Sequence, residues 1–274
     1  MSLRLSHLFR LRPAARNQSR FTNSTRLSHT LEMPSEPAPW RTLFLTHLTS
    51  LSLPTFTLAT LHPSSSGSLT PRARTCVLRG LLASLPSNPK NPAPLNPANT
   101  YESDFPVFTT DTRMEKIPEI SSNSQVEAVF WIAETKTQWR IRGTAHVLSQ
   151  GTFKDVLQPR MRKVGEGDWD VEREVTAHFG NLSPAMRGSF KGPAPGRPRA
   201  EGDGGLKVGE KVEDLEDEIA RRNFRVVVIV PEGVDQVLLE EVARRWVYAY
   251  RGQEGKKEYD GGEMVGQSGW ERVE

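Results

Sequence analysis

The stretch QVEAVFWIAETKTQWRIRGTAHVL, Gln125 to Leu148, repeats with period two on both sides of a polar turn. In its first arm Val126, Ala128, Phe130 and Ile132 fall on one face, with Val129 and Trp131 on the other. ETKT turns the chain. The second arm then sets Trp139, Ile141, Ala145 and Val147 against Gln138, Arg140, Arg142 and His146. This pattern predicts an antiparallel hairpin with one apolar face directed at a core.

Working outward, TFTLATLHP reads as a strand through Phe56, Leu58 and Leu61, SSSGS as a turn, and ARTCVLRGLL as a second strand. PSNPKNPAPLNPANT holds five prolines in fifteen residues and predicts an extended loop. VFTTD is a third strand, and NFRVVVIVP, the most β-branched run, a central one. RWVYAYR alternates like a strand, and SGWERVE is read as a last one. Helices are few. Trp40, Leu43, Phe44 and Leu48 have helical spacing, REVTAHFGNLSPAMRGSF is a helical stretch divided at Gly180 and Pro184, and VEDLEDEIARR predicts an acidic surface helix. Many strands with short helices predict a closed antiparallel barrel with helices at its rim.

The chain has 274 residues and a net charge of +3. Residues 1–31 contribute six arginines and no acid, so residues 32–274 sum to −3. The basic character is local, and the body has no basic stripe interleaved with aromatics, so nucleic acid is not an expected partner. The Arg- and Ser-rich start, in which Arg4, Leu5, Leu8, Phe9 and Leu11 suit a basic amphipathic helix, has the composition of a mitochondrial presequence. A disordered tail or a true start at Met33 are the other readings. Residues 1–37 are therefore set apart as an extension and residues 38–274 as one domain, with mobile loops expected near 86–100 and 191–212. No apolar run approaches a bilayer span. The single cysteine, Cys76, excludes an internal disulfide and reads as a small buried hydrophobe.

Six segments in order, PRARTCVLRG, FTTDTRMEK, QWRIRGTAHVL, LSPAMRGSF, NFRVVVIVP and RRWVYAYR, resemble the FMN-binding split-barrel family that includes pyridoxamine 5′-phosphate oxidase. They are most similar to its variants of unassigned function. The resemblance implies a mainly β, six-stranded Greek-key split barrel with peripheral helices. It also implies a homodimer with FMN at the interface and a flavin-dependent oxidoreductase of unknown substrate. Non-catalytic flavin or haem binding on the same barrel is the alternative, with His146 or His178 as the axial ligand a haem would need. By the same resemblance, Arg74, Thr75, Cys76 and Val77 line the flavin, and Arg79 stands at the flavin and substrate edge. Phe108 and Thr109 lie beside the phosphate and ribityl chain, and Lys116 binds the phosphate. Gln138 lies beside the isoalloxazine, Ser183 comes from the partner chain, and Arg245 lies near the ring.

Physical chemistry adds a reason for Arg113 and Lys116. A phosphate dianion needs cations and N–H donors, which a forked guanidinium and a mobile ammonium supply. Thr112 and Glu115 have capping-box spacing, although Pro118 argues for a helix starting nearer Glu115. No His, Cys or acid pair has metal-ligand spacing, so no metal is expected. Glu241, Val242 and Ala243 stand where the vitamin B6 oxidases carry an Arg-x-His pattern for their substrate, and only an aliphatic near Val237 or Leu238 matches those enzymes' ring-stacking aromatic. A flavin site without a B6 substrate site is the expectation.

Overall fold

The computed structural model describes residue 34 and residues 36–196, 209–252, 263–264 and 268–273. The segment read as a presequence, the centre of the 191–212 loop and most of the stretch between the last strands lie outside the described residues. Strands β1 (Thr55–Pro63) and β2 (Leu69–Leu81) form a hairpin whose SSSGS turn places Gly67 at φ 80°, the left-handed region that glycine enters freely. β3 (Tyr101–Glu102) pairs apart with β7 (Arg162–Lys163). β4 (Pro106–Asp111) leads into helix α2 (Lys116–Ser122), followed by the hairpin of β5 (Gln125–Ile132) and β6 (Thr137–Val147). β8 (Phe224–Leu238), β9 (Arg244–Tyr250), β10 (Glu263–Met264) and β11 (Trp270–Arg272) end the chain.

Six strands close into a ring in the order β1, β2, β4, β8, β6, β5, every neighbour antiparallel, and β9, β11 and β10 continue the sheet outside it. This is the mainly β split barrel that the alternation and the resemblance predict. β8 makes closure possible because its fifteen residues serve β4, β6 and β9 in turn. It bends where the β6 register shifts between Arg142 and Gly143. There the two backbones close up: a Cβ on Gly143 would lie 2.0 Å from the Val230 carbonyl oxygen, so only glycine fits.

The interior holds one core. Phe56, Phe108, Phe130, Trp139 and Ile141 fill it. Helix α1 (Arg41–Leu48) closes one end through Trp40, Phe44 and Leu48, with Phe44 edge-on to Phe130 and Trp139. Each such buried side chain contributes about 1.5–3 kcal/mol. A second core lies outside the ring. Val226, Val228 and Val230 of β8 pack there against Phe153 and Leu157, Phe179 of α4 (Val171–Gly180) and Ala220 of α6 (Glu218–Asn223). The unbroken VVVIV run is thus explained: its odd and even residues enter different cores. Between β6 and β7, helix α3 (Gln150–Thr152) runs into a π-helical turn at Phe153–Leu157, and α5 (Pro184–Ser189) follows α4.

Four local expectations shift. β1 buries Phe56, Leu58 and Thr60 rather than reaching Leu61, so its third inward position is a hydroxyl. Of VEDLEDEIARR only Glu218 onward is helical, capped by Asp217, whose carboxylate accepts from Ala220 N. α2 begins at Lys116, and its N-cap Glu115 makes no side-chain cap bond, so the Thr112–Glu115 capping box does not form. Leu43 points outward, 43% exposed, while Phe44 is buried.

Candidate functional site

Period two along β2 divides its side chains. Thr75, Val77 and Arg79 take one face, and Arg74, Cys76 and Leu78 the other, where Cys76 and Leu78 enter the barrel core. The first set borders a cleft of about 330 Å³, to which Cys76 also contributes. Thr109, Thr110 and Asp111 of β4, with Met114 and Lys116, form the adjoining wall. Leu182, Met186, Phe190 and Pro195, with Ser189 among them, form a mostly apolar third wall from the α5 region. The sequence reading brought Ser183, at the start of α5, to the flavin only from a partner chain, and did not join α5 to the cleft of its own chain.

The cations near the cleft differ in what holds them. The Arg113 guanidinium forks onto Asp111, with Nε 2.9 Å from Oδ1 and Nη2 2.6 Å from Oδ2, and also donates to the Gly192 and Phe190 carbonyls. The hydrogen bond to Asp111 holds its pKa above the usual value. Arg74 is engaged too, its Nη2 lying 2.6 Å from Glu119 Oε2 while Nη1 donates to Thr60. Arg79 and Lys116 have no carboxylate partner among the described residues. Arg79 donates to Thr109 Oγ1 at 3.3 Å, and Lys116 Nζ has only Thr110 Oγ1 at 3.2 Å and Met114 Sδ at 2.9 Å. Burial lowers the pKa of both. Two half-buried cations whose side-chain hydrogen-bond partners among the described residues are all neutral therefore face one cleft.

Cys76 is free and buried, and burial raises its thiol pKa against the pull of Lys116 and Arg74. That fits a packing residue. Phe108 is 1% exposed and edge-on to Phe56 in the barrel, so only its backbone is available to the cleft. Gln138 and Arg245 do not line the cleft. They sit in one cross-strand row, Trp131–Gln138–Val237–Arg245, on the outer face of β5, β6, β8 and β9. Arg245 there bonds Asp235, which also holds Arg140. Ser183 caps α5 by accepting from Met186 N at 3.3 Å, beside Leu182 of the same chain's cleft. His146 bonds Thr144, and His178 is buried in α4 beside Glu174. Neither lines the cleft. The described residues contain no group of three or more potential metal ligands. No described helix is long and apolar enough to cross a membrane.

A six-strand antiparallel ring bearing this cleft defines a split barrel of the pyridoxamine 5′-phosphate oxidase type. Residues 37–149 match the family described as pyridoxamine 5′-phosphate oxidase, FMN-binding domain. That segment contains the β2, β4 and Lys116 walls and Gln138, and excludes Ser183 and Arg245. A pyridoxamine 5′-phosphate oxidase-related FMN-binding protein from Nostoc punctiforme PCC 73102 is 25% identical, with a TM-score of 0.54 over 81% of this chain and 95% of that one. PhzG from Burkholderia lata 383, in complex with tetrahydrophenazine-1-carboxylic acid, is 15% identical, with a TM-score of 0.43 over 79% and 87%. A heme-binding protein from Mycobacterium smegmatis is 13% identical, with a TM-score of 0.37 over 77% of this chain and 58% of its own. No curated protein matches the chain significantly. The family resemblance read from the six segments holds.

Proposed function

We propose that this chain binds FMN in the cleft between β2, β4 and α5, and that it acts as a flavin-dependent oxidoreductase in a homodimer. The observation that carries the reading is the pair of Arg79 and Lys116, half-buried and without a carboxylate partner among the described residues, beside the hydroxyls of Thr75, Thr109 and Thr110. Desolvated cations without counter-charge are costly, and a phosphate dianion would relieve both. The donor set fits the group: Lys116 and Arg79 would hold the phosphate end, and Val77, Leu182, Met186 and Phe190 offer apolar cover. When bound, the flavin supplies hydride or electron transfer, and the protein binds, orients and shields it.

The match to an FMN-binding domain and the likeness to the Nostoc protein support this choice over haem. So do the two candidate axial histidines, which stand away from the cleft. The homodimer belongs to the same proposal. Gln138 and Arg245 share an outer face with Trp131, which is 50% exposed, and from there they serve a second copy's flavin rather than their own. Import into mitochondria through residues 1–31 is a further part of it, tested by whether a fusion of that segment to a reporter reaches the organelle.

The direct test is to purify the full chain and record whether it is yellow, release and identify the chromophore, and then add NADH or NADPH and follow bleaching. Released FMN supports the reading. A colourless protein that does not take up FMN overturns it. Bound FMN that no nicotinamide or other donor reduces would leave binding standing and remove the oxidoreductase.

A further inference from the structure

We infer that Glu119 is a positioning residue for the anion site: its buried carboxylate ties the β2 wall of the cleft to the short helix that begins with Lys116. The inference rests on the cofactor reading above and deepens it.

Helix α2 cannot set its own direction. It has seven residues, no side-chain N-cap and a proline at position 118, and so short a helix is marginal alone. Tertiary contacts must orient it, and one of them is polar. Glu119 is 1% exposed. Its Oε2 accepts from Arg74 Nη2 and from Thr60 Oγ1, both at 2.6 Å, while His62 Nδ1 lies 3.1 Å from Oε1. Burial alone would raise the pKa of this carboxyl, but the bonds from Thr60, Arg74 and His62 outweigh it, so it stays ionised.

The two ends of this clamp belong to the two walls of the cleft. Arg74 directly precedes Thr75 on β2, and Glu119 follows Lys116 by three residues on α2. The clamp thereby fixes how far Lys116 stands from Thr75, Val77 and Arg79. Ile117 and Ile120 also pack α2 onto the barrel, but apolar contact is non-directional and tolerates sliding. Three hydrogen bonds to one buried carboxylate do not. Because Arg74 and Glu119 cancel in charge, their contribution to an anion is placement rather than attraction. Arg74 then acts on the cofactor through Glu119, which gives a second role to a residue that the resemblance places along the flavin.

The test uses variants that conserve charge, since removing the Glu119 charge would also free Arg74 to attract phosphate. Thr60→Val keeps the side-chain shape and deletes the hydroxyl that donates to Glu119 and accepts from Arg74. Glu119→Asp keeps the charge but is one methylene too short to reach all three donors. Affinities of the full chain for FMN and for riboflavin are measured by fluorescence titration, with circular dichroism to confirm folding. Both variants should weaken FMN about threefold to tenfold, the effect of one loosened charge-assisted contact, and leave riboflavin within about twofold. Unchanged FMN binding, or an equal loss for both flavins, would show that the network only holds the fold and overturns the inference. Equal affinity of the unsubstituted chain for FMN and riboflavin overturns the phosphate reading and this inference with it. If Glu119→Asp does not fold, Thr60→Val decides alone.

Discussion

Replacing Lys116 by Met tests the cleft most directly, because Met keeps an apolar stem of similar reach and removes only the ammonium. Lys116 is half-buried, and among the described residues its Nζ bonds one hydroxyl and one thioether and no carboxylate. Its three donors are therefore underused, and a phosphate would take them. A hydrogen bond to a charged group contributes about 1.5–3 kcal/mol, so Lys116→Met should weaken FMN about tenfold to 150-fold. Riboflavin, which offers no dianion, should change by less than about twofold.

The same substitution should act oppositely on the empty protein. Burial lowers the pKa of Lys116, so the native state binds its proton less readily than the unfolded chain does. Below the folded value this cost to the fold is fully present. It disappears as pH rises through the folded value toward the unfolded one. Lys116→Met should thus raise the apo melting temperature at pH 7, and the gain should shrink in alkaline buffer. FMN affinity of the unsubstituted chain should fall over that same alkaline window as the ammonium is lost. Paired titrations with FMN and riboflavin, with melting curves from pH 7 to the alkaline end, measure all three effects. An unchanged FMN affinity in Lys116→Met, or equal binding of the two flavins by the unsubstituted chain, would refute the reasoning.

Three further outcomes are expected. Phe130→Ala removes a ring stacked on Phe56 at 4.9 Å and edge-on to Phe44 at 5.0 Å, and should cost about 3–5 kcal/mol in chemical denaturation; a loss under about 1 kcal/mol would contradict a close-packed barrel interior. FMN should raise the melting temperature of a dimer by mass action, whereas a monomer in light scattering that binds FMN tightly would contradict the shared-site proposal. Under air with saturating pyridoxine 5′-phosphate, the FMN-loaded protein should form little pyridoxal 5′-phosphate. Glu241, Val242 and Ala243 lie in the exposed turn between β8 and β9 and offer an acid and two aliphatics where a phosphate would need donors; turnover comparable to a vitamin B6 oxidase would show another substrate anchor.

Most of the barrel was legible because its signals are local. The alternation of Gln125–Leu148 transfers directly to the β5–β6 register, in which Phe130 faces Trp139 and Ala128 faces Ile141. The VVVIV run is legible as a buried strand, but not the bend that lets one strand serve three neighbours. That bend depends on Gly143, on a different strand, meeting Val230. β1 shows the same limit: Thr60 looks like a misplaced polar residue until Glu119, 59 positions away, is seen to need its hydroxyl. The third wall of the cleft was illegible for a related reason. Leu182, Met186 and Phe190 read as ordinary apolar helix residues, and only the folded chain carries α5 over β2 and β4.

The cations make the limit physical. Arg74, Arg79, Arg113 and Lys116 are equivalent candidates in sequence, since each is a positive charge in or beside an apolar strand. What separates them is pairing, and pairing is not uniformly local. Arg113 meets Asp111 two positions before it, which a turn reading of TTDTR could have anticipated, whereas Arg74 meets Glu119 at a separation of 45. Once those two are neutralised by carboxylates, the cleft retains two cations that lack one among the described residues. Folded chains seldom leave desolvated charge uncompensated without a ligand to compensate it, because the penalty recurs in every molecule while the ligand is absent. The choice of Arg79 and Lys116 as the anion site therefore follows from subtraction: each carboxylate already engaged removes a rival, and the cations left over mark where the missing negative charge belongs.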